Sequence, residues 1–162
     1  MKNYIFDLDY TLYSSNDIDL TNTQIFYNSF KDKKFLNKLL KKLKGNKYLF
    51  SNGNKAHVDH VVKKMNLKGI FKNIANSDEF EMLKPDNKAY DYVIDKFKLN
   101  KKDPTYFFED TLENLDTAKK YGWKTVLIDE DGEFKKTPKN VDFKFQNVEQ
   151  ALIFFININY NH

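Results

Sequence analysis

Apolar residues along this chain fall into two alternating rhythms. Short blocks, residues 4–8 and 48–50, run apolar and then break into polar positions: Asp7 and Asp9 in the first, Ser51, Asn52 and Gly53 after the second. Each reads as a buried strand opening into a loop. Residues 106–108 and 125–128 repeat the pattern, residues 72–75 carry a weaker version, and residues 141–145 suggest an edge strand. Between these blocks the period lengthens to that of a helix. Phe35, Leu36, Leu39, Leu40 and Leu43 share one face with lysines opposite and Gly45 as the stop. Val58, Val61, Val62 and Met65 make the next stripe, and Tyr90, Val93, Ile94 and Phe97 a third, which Pro85 is expected to open from a first-turn position. Leu112, Leu115 and Ala118 make a fourth, closed at Gly122. Strand and helix alternate, which predicts an α/β fold: a three-layer α/β/α sandwich around a doubly wound, mainly parallel sheet of five or six strands with right-handed crossovers. In such a sheet ligands bind beyond the carboxyl ends of the strands.

Composition narrows the setting. A chain of 162 residues predicts a single domain, here 1–155, with the Asn-rich residues 156–162 expected as a C-terminal tail. There is no cysteine, which excludes a disulfide scaffold, a zinc ribbon and a cysteine nucleophile. All 27 cations are lysine, so an anion site has to use lysine, backbone amides or a bound cation in place of a guanidinium fork. The net charge of +4 changes little. The longest apolar run, residues 151–156, is far short of the roughly 20 needed to cross a membrane. Asp7 and Asp9 interrupt the place where a signal core would lie, so the expected location is cytoplasmic, or nuclear in a host with a nucleus.

The strand ends collect chemistry. Asp7 and Asp9, then Ser51 and Asn52, then Glu109 and Asp110 follow successive strands, and Lys84 precedes the third helix. Four carboxylates on one sheet edge repel one another, and a divalent cation resolves the conflict. Oxygen ligands without His or Cys among them favour Mg²⁺ over zinc. Ser51 and the amides of Asn52 and Gly53, at a helix N-terminus, make a place for phosphate oxygens. A cation at Lys84, beside the positive end of a helix, calls for an anion nearby.

Residues 6–12, Phe-Asp-Leu-Asp-Tyr-Thr-Leu, resemble the first motif of haloacid dehalogenase-superfamily phosphatases, and Ser51-Asn52, Lys84 and Glu109-Asp110 resemble the second, third and fourth in the same order. Within the superfamily, residues 9–13, Lys84-Pro85 with Ala89-Tyr90, and Phe108-Glu109-Asp110 with Asn114 are most similar to the pyrimidine 5′-nucleotidase-like branch. The resemblance implies Asp7 as the nucleophile forming an aspartyl-phosphate, Asp9 as general acid/base and Lys84 as charge partner. It further implies phosphate contacts from Thr11, Ser51, Asn52, Gly53 and Lys84, and a magnesium site drawing on Asp7, Asp9, Asp110 and Glu109. Each role has a chemical reason. A carboxylate nucleophile divides one displacement into two, and an acid two residues on can protonate the leaving oxygen and then activate water. Dehalogenases and ATPases of the superfamily lack an aspartate at the position of Asp9.

Other readings are weaker. A receiver domain also combines acids, Ser/Thr and Lys, in an order this chain violates. A non-catalytic phosphate- or metal-binding module would not need both Asp7 and Asp9. His57 and His60 flank the apolar stripe of their helix and read as solvent-facing, without a third zinc ligand. Trp123 reads as packing, and the lysine face of residues 33–44 as the solvated side of a crossover helix. Relatives with a helical cap insert it after the first motif, where residues 14–31 leave room for only a reduced cap. Closure then comes from that segment, from a neighbouring subunit of a homo-oligomer, or from a large substrate. Small phosphate esters, nucleoside monophosphates among them, are the expected substrates, with a protein or nucleic-acid phosphate end as the alternative.

Overall fold

The computed structural model describes residues 1–160. Six strands, all parallel, form one sheet: β1 (Asn3–Phe6), β2 (Asn46–Phe50), β3 (Asn73–Ala75), β4 (Thr105–Glu109), β5 (Lys124–Ile128) and β6 (Phe143–Phe145). Their order is β3-β2-β1-β4-β5-β6. The helices are α1 (Thr23–Ser29), α2 (Lys34–Lys42), α3 (Lys55–Lys64), α4 (Asn87–Phe97), α5 (Leu112–Lys120) and α6 (Val148–Tyr160), with a 3₁₀ turn at Ser15–Asp17. This is the doubly wound parallel sheet expected from the alternation of periods.

Period-two alternation along β1 divides the core. Tyr4 and Phe6 join Leu49, Phe108 and Val126 on one face, covered by Leu36 and Leu40 of α2, Val58 and Val61 of α3, and Leu152 and Phe155 of α6. Ile5 joins Tyr48, Phe50, Phe107 and Leu127 on the other, covered by Tyr90 and Val93 of α4 and Leu115 of α5. Strand β1 leads to β2 on one side and lies against β4 on the other, with Phe6 opposite both Leu49 and Phe108. The winding reverses at that point, so the ends of β1 and β4 flank the crevice where such sheets take ligands.

Local expectations needed correction in four places. Phe35 is 59% exposed and lies off the stripe of α2 that Leu36, Leu39 and Leu40 bury. Gly45 is more than a helix stop: its φ is +138°, and a Cβ there would meet the Lys2 carbonyl oxygen at 2.7 Å. Pro85 does not open α4; Asp86 caps it by accepting the Lys88 N–H, so Lys84 and Pro85 belong to the loop before the helix. Most of the expected tail at 156–162 is helix, because α6 runs through Tyr160, Ile156 is buried, and the Asn159 amide donates to the Tyr4 hydroxyl at 3.0 Å. Residues 161–162 lie outside the described residues.

Residues 14–31 contain the 3₁₀ turn and α1 and no bundle of helices. Glu130 fastens the segment by accepting from Ser14, Ser15 and Asn16. Phe30 is buried edge-on against Tyr13 at 4.9 Å. No helix among the described residues is long and apolar enough to cross a membrane.

A chain ending at Phe155 is expected to lose about 2–4 kcal/mol of unfolding free energy in urea titration, from the lost burial of Ile156 and the Asn159 hydrogen bond. Equal stability of the shortened and full chains would restore the tail.

Candidate active site

Asp7 follows β1, and its N–H donates to the Phe108 carbonyl at 2.9 Å, which keeps the chain on the sheet one residue beyond the strand. The loop then turns sharply. Tyr10 has φ of +61°, and the N–H groups of Thr11 and Leu12 both donate to the Leu8 carbonyl. A non-glycine residue in the left-handed region costs energy and commonly marks a site where the surrounding fold holds it. The turn brings the Thr11 hydroxyl within 3.1 Å of Asp7 Oδ2 and 3.3 Å of Asp110 Oδ1.

Lys84 is the hub. Its ammonium donates to Asp7 Oδ1 at 2.9 Å, Glu109 Oε1 at 3.0 Å and the Phe50 carbonyl at 2.8 Å. All three donors are used, and the side chain is 1% exposed. The rings of Phe50 and Phe107 lie 4.8 and 5.3 Å from the nitrogen, which adds cation–π attraction in a desolvated place. Burial opposes the ammonium charge, and the two carboxylates outweigh it, holding Lys84 above its usual range.

Glu109 is saturated. Oε1 accepts from Lys84 and from Asn114 Nδ2 at 2.6 Å, and Oε2 accepts from the backbone N–H groups of Asp110 and Thr111. Four donors fill a carboxylate's acceptor capacity. Burial would raise Glu109, but Lys84 and these donors outweigh it and keep it ionised, below its ordinary range. Asp7 is pushed up to about 7, first by burial and then by the charge of Glu109, against the pull of Lys84. Asp110 is pushed up to about 9 by burial, then by its contact with Glu109 and the charges of Glu109 and Asp7. One carboxylate oxygen from each of Asp7, Glu109 and Asp110 lies within 4.8 Å of the others. Ionising all three against the single cation Lys84 would leave two negative charges in excess, which is why Asp7 and Asp110 hold their protons so strongly here, and the donors are hard oxygens. The donor set therefore fits a divalent, oxygen-seeking cation. Since Glu109 has no open lone pair, Asp7 and Asp110 are the side chains best able to ligate, with Glu109 fixing the loop that carries Asp110.

The second strand end divides its work. Ser51 is fully buried, and its Oγ accepts the Gly53 N–H at 2.9 Å. The Asn52 side chain clamps the backbone of Lys84: Oδ1 accepts the Lys84 N–H at 2.9 Å, and Nδ2 donates to the Lys84 carbonyl at 3.0 Å. Asn52 thus locates the hub lysine. The fold brings Asp7, Thr11, Ser51, Asn52, Lys84, Glu109 and Asp110 together at one sheet edge. Asp9 stands beside them, its side chain 28% exposed.

Two partners of Asp9 escaped the sequence reading. The hydroxyl of Tyr13 donates to Asp9 Oδ1 at 2.6 Å, and His57 Nε2 lies 2.6 Å from the same oxygen. Burial would raise Asp9, but these two hydrogen bonds outweigh it and hold Asp9 below its usual range. His57 is thus corrected from solvent-facing to a site neighbour. His60 is also engaged, its Nε2 3.1 Å from the Tyr27 carbonyl. The first turn of α3 points toward the sheet end whatever its helical stripe suggests, and position 57 lies four residues past Gly53. That proximity was the only available signal.

A sequence model described as haloacid dehalogenase-like hydrolase matches residues 30–128 of the chain. The chain belongs to the haloacid dehalogenase-like hydrolase family. The matched stretch carries Ser51, Lys84, Glu109 and Asp110 and begins after Asp7 and Asp9, which the fold itself places beside them. No curated protein matches this hydrolase in sequence. Among solved structures it resembles the L-2-haloacid dehalogenase of Xanthobacter autotrophicus with chloropropionic acid covalently bound, at 12% identity over 95% of this chain and 98% of that one, TM-score 0.71. It also resembles a magnesium-bound HAD hydrolase of Bacillus subtilis (15% identity, 95% and 98% covered, TM-score 0.69) and a HAD phosphatase of Thermococcus onnurineus (15%, 95% and 97%, 0.68). At these identities the likeness is one of fold.

Removing the hub charge of this hydrolase by Lys84→Met leaves Asp7 and Glu109 buried without their counterion. The expected loss is about 3–5 kcal/mol in urea unfolding at neutral pH. Adding Glu109→Gln is expected to recover part of it, and a neutral effect of Lys84→Met would show that the pair carries no strain.

Proposed function

We propose that this hydrolase cleaves phosphate monoesters with the help of magnesium, through a phosphoryl group carried transiently on Asp7. The observation that carries the reading is Asp9, a second carboxylate two residues after the buried Asp7 and held at the rim by Tyr13 and His57. A halide leaves without a proton, whereas an ester oxygen needs one, so this carboxylate suits phosphate esters better than haloacids.

A carboxylate oxygen of Asp7 attacks phosphorus as the bond to the ester oxygen breaks, and Asp9, having taken a proton from solvent as the substrate entered, gives it to that oxygen. Asp9 then takes a proton from water, the water oxygen attacks phosphorus, and the bond to Asp7 breaks to release phosphate. An incoming phosphate brings negative charge beside Asp9, which raises its proton affinity from the low resting value. Lys84 and Thr11 orient Asp7 throughout. The amide of Asn52 near the start of α3, with the hydroxyl proton of Ser51, supplies contacts for phosphate oxygens, while the Gly53 N–H, which donates to Ser51 Oγ, holds that hydroxyl in place. Asp7 and Asp110, with the Asp9 backbone carbonyl, would hold magnesium, which would supply positive charge to offset that on the phosphoryl oxygens. The short, fastened segment 14–31 leaves the site open, which supports small esters with low selectivity, nucleoside monophosphates among them. A cavity of about 190 Å³ lies beside Asp110, walled by Tyr10, Ile128, Asp129, Glu130 and Phe134.

With p-nitrophenyl phosphate and nucleoside monophosphates as substrates, Asp7→Asn is expected to lower turnover by at least about 10⁴-fold. Its Tm is expected to stay level or rise, because one charge leaves a crowded set while an acceptor for Lys84 remains. Inactivity of the wild-type protein on every phosphate ester, or full activity of Asp7→Asn, would defeat the reading. Magnesium is expected to raise the Tm of the wild type and not that of Asp110→Asn; equal shifts would place the ion elsewhere.

A further inference from the structure

The hydrogen bonds to Asp9 are one-sided. Oδ1 receives both, from Tyr13 and His57, and among the described residues none donates to Oδ2. The imidazole that makes the second bond is held from behind. Tyr27 Oη lies 2.9 Å from His57 Nδ1, and with the hydroxyl donating to that nitrogen the ring proton sits on Nε2, facing Asp9. The ring is confined on its other sides. Phe26 lies parallel to it, 6.3 Å away and 8° off plane. Gly53 lies so close that a Cβ there would come within 2.6 Å of His57 Cδ2, so no larger residue leaves the ring where it is. Asn54 fixes the backbone by accepting the His57 N–H at 2.9 Å. Tyr27 is tied to α3 a second time through its carbonyl and His60. The line Tyr27–His57–Asp9 therefore joins α1, α3 and the loop after β1, three pieces of chain distant in sequence.

We infer that His57 is a positioning residue for the acid/base step: Tyr27 of the segment 14–31 fixes the tautomer that donates to Asp9 Oδ1, and Oδ2 is left as the oxygen that exchanges the proton with the ester oxygen and then with water. The inference rests on the phosphatase reading above. It gives the reduced cap segment a role in supporting chemistry from the side. The competing explanation is that the two histidines only stitch α1 to α3.

Leaving groups separate the two. An aryl ester such as p-nitrophenyl phosphate departs with little need of a proton, while an alkyl ester such as glycerol 2-phosphate depends on one. For His57→Phe, kcat/KM on the alkyl ester is expected to fall about 10²-fold and on the aryl ester less than about 10-fold. Tyr27→Phe, which removes only the hydroxyl, is expected to move the ratio in the same direction by about 3–10-fold. His57→Gln, whose amide can donate to Oδ1, is expected to restore most of the alkyl activity. Thermal melts run alongside; should His57→Phe not fold, Tyr27→Phe and His57→Gln decide by the same ratio. Equal losses on both esters, or no loss, in folded variants of an active wild type overturn the inference alone. A wild type inactive on both esters overturns the phosphatase reading and this inference with it.

Discussion

A single buried ammonium organises this molecule's working end. Lys84 has no water to turn to, so it must find three acceptors within the fold, and it finds them on β2, beyond β1 and on β4. Those three strands are neighbours only because the sheet reverses its winding between β1 and β4. The ion group and the topology thus depend on each other. A charge that deep costs several kcal/mol in isolation and is tolerated only when paired and fully hydrogen-bonded. Among the described residues no buried side-chain polar atom lacks a partner.

From this hub the carboxylates acquire different characters. Glu109, with four donors, is spent on structure. Asp7 and Asp110 keep an unsatisfied preference for positive charge, visible in their raised proton affinities. Asp9 stands outside the hub with partners of its own, and these, like the donors around Glu109, favour its ionised form at rest. On the proposed reading, four similar side chains take the parts of an anchor, a nucleophile, a cation ligand and a proton carrier through their neighbours alone.

Much of this was legible from residue order. The two hydrophobic periods gave the strands, the parallel winding and the adjacency of the Asp7 and Glu109 strand ends, because strand alternation and helical stripes are local properties. What escaped was decided by distance or by weak local signals. His57 lies near its helix's apolar stripe, and only the close approach of Gly53 and the docking of α1 turn it toward Asp9. Asn52 reads as an anion contact until its side chain is found gripping the backbone of Lys84. The C-terminal helix was hidden because residues 151–156 are apolar in succession and the following asparagines are poor helix formers; burial of Ile156 and the contact of Asn159 with Tyr4 override that propensity. Pro85 suggested a helix start that Asp86 supplies instead.

The central claim is that the buried partner of Lys84 is a nucleophile. The most direct test is to mix Asp9→Asn, which lacks the base for the second step, with magnesium and p-nitrophenyl phosphate, quench in acid and map the peptides for a phosphoryl adduct. The account predicts one equivalent of nitrophenol released in a burst and the phosphoryl group on Asp7. A burst with the adduct on another residue, or wild-type turnover with no adduct on Asp7 at any quench time, would contradict it.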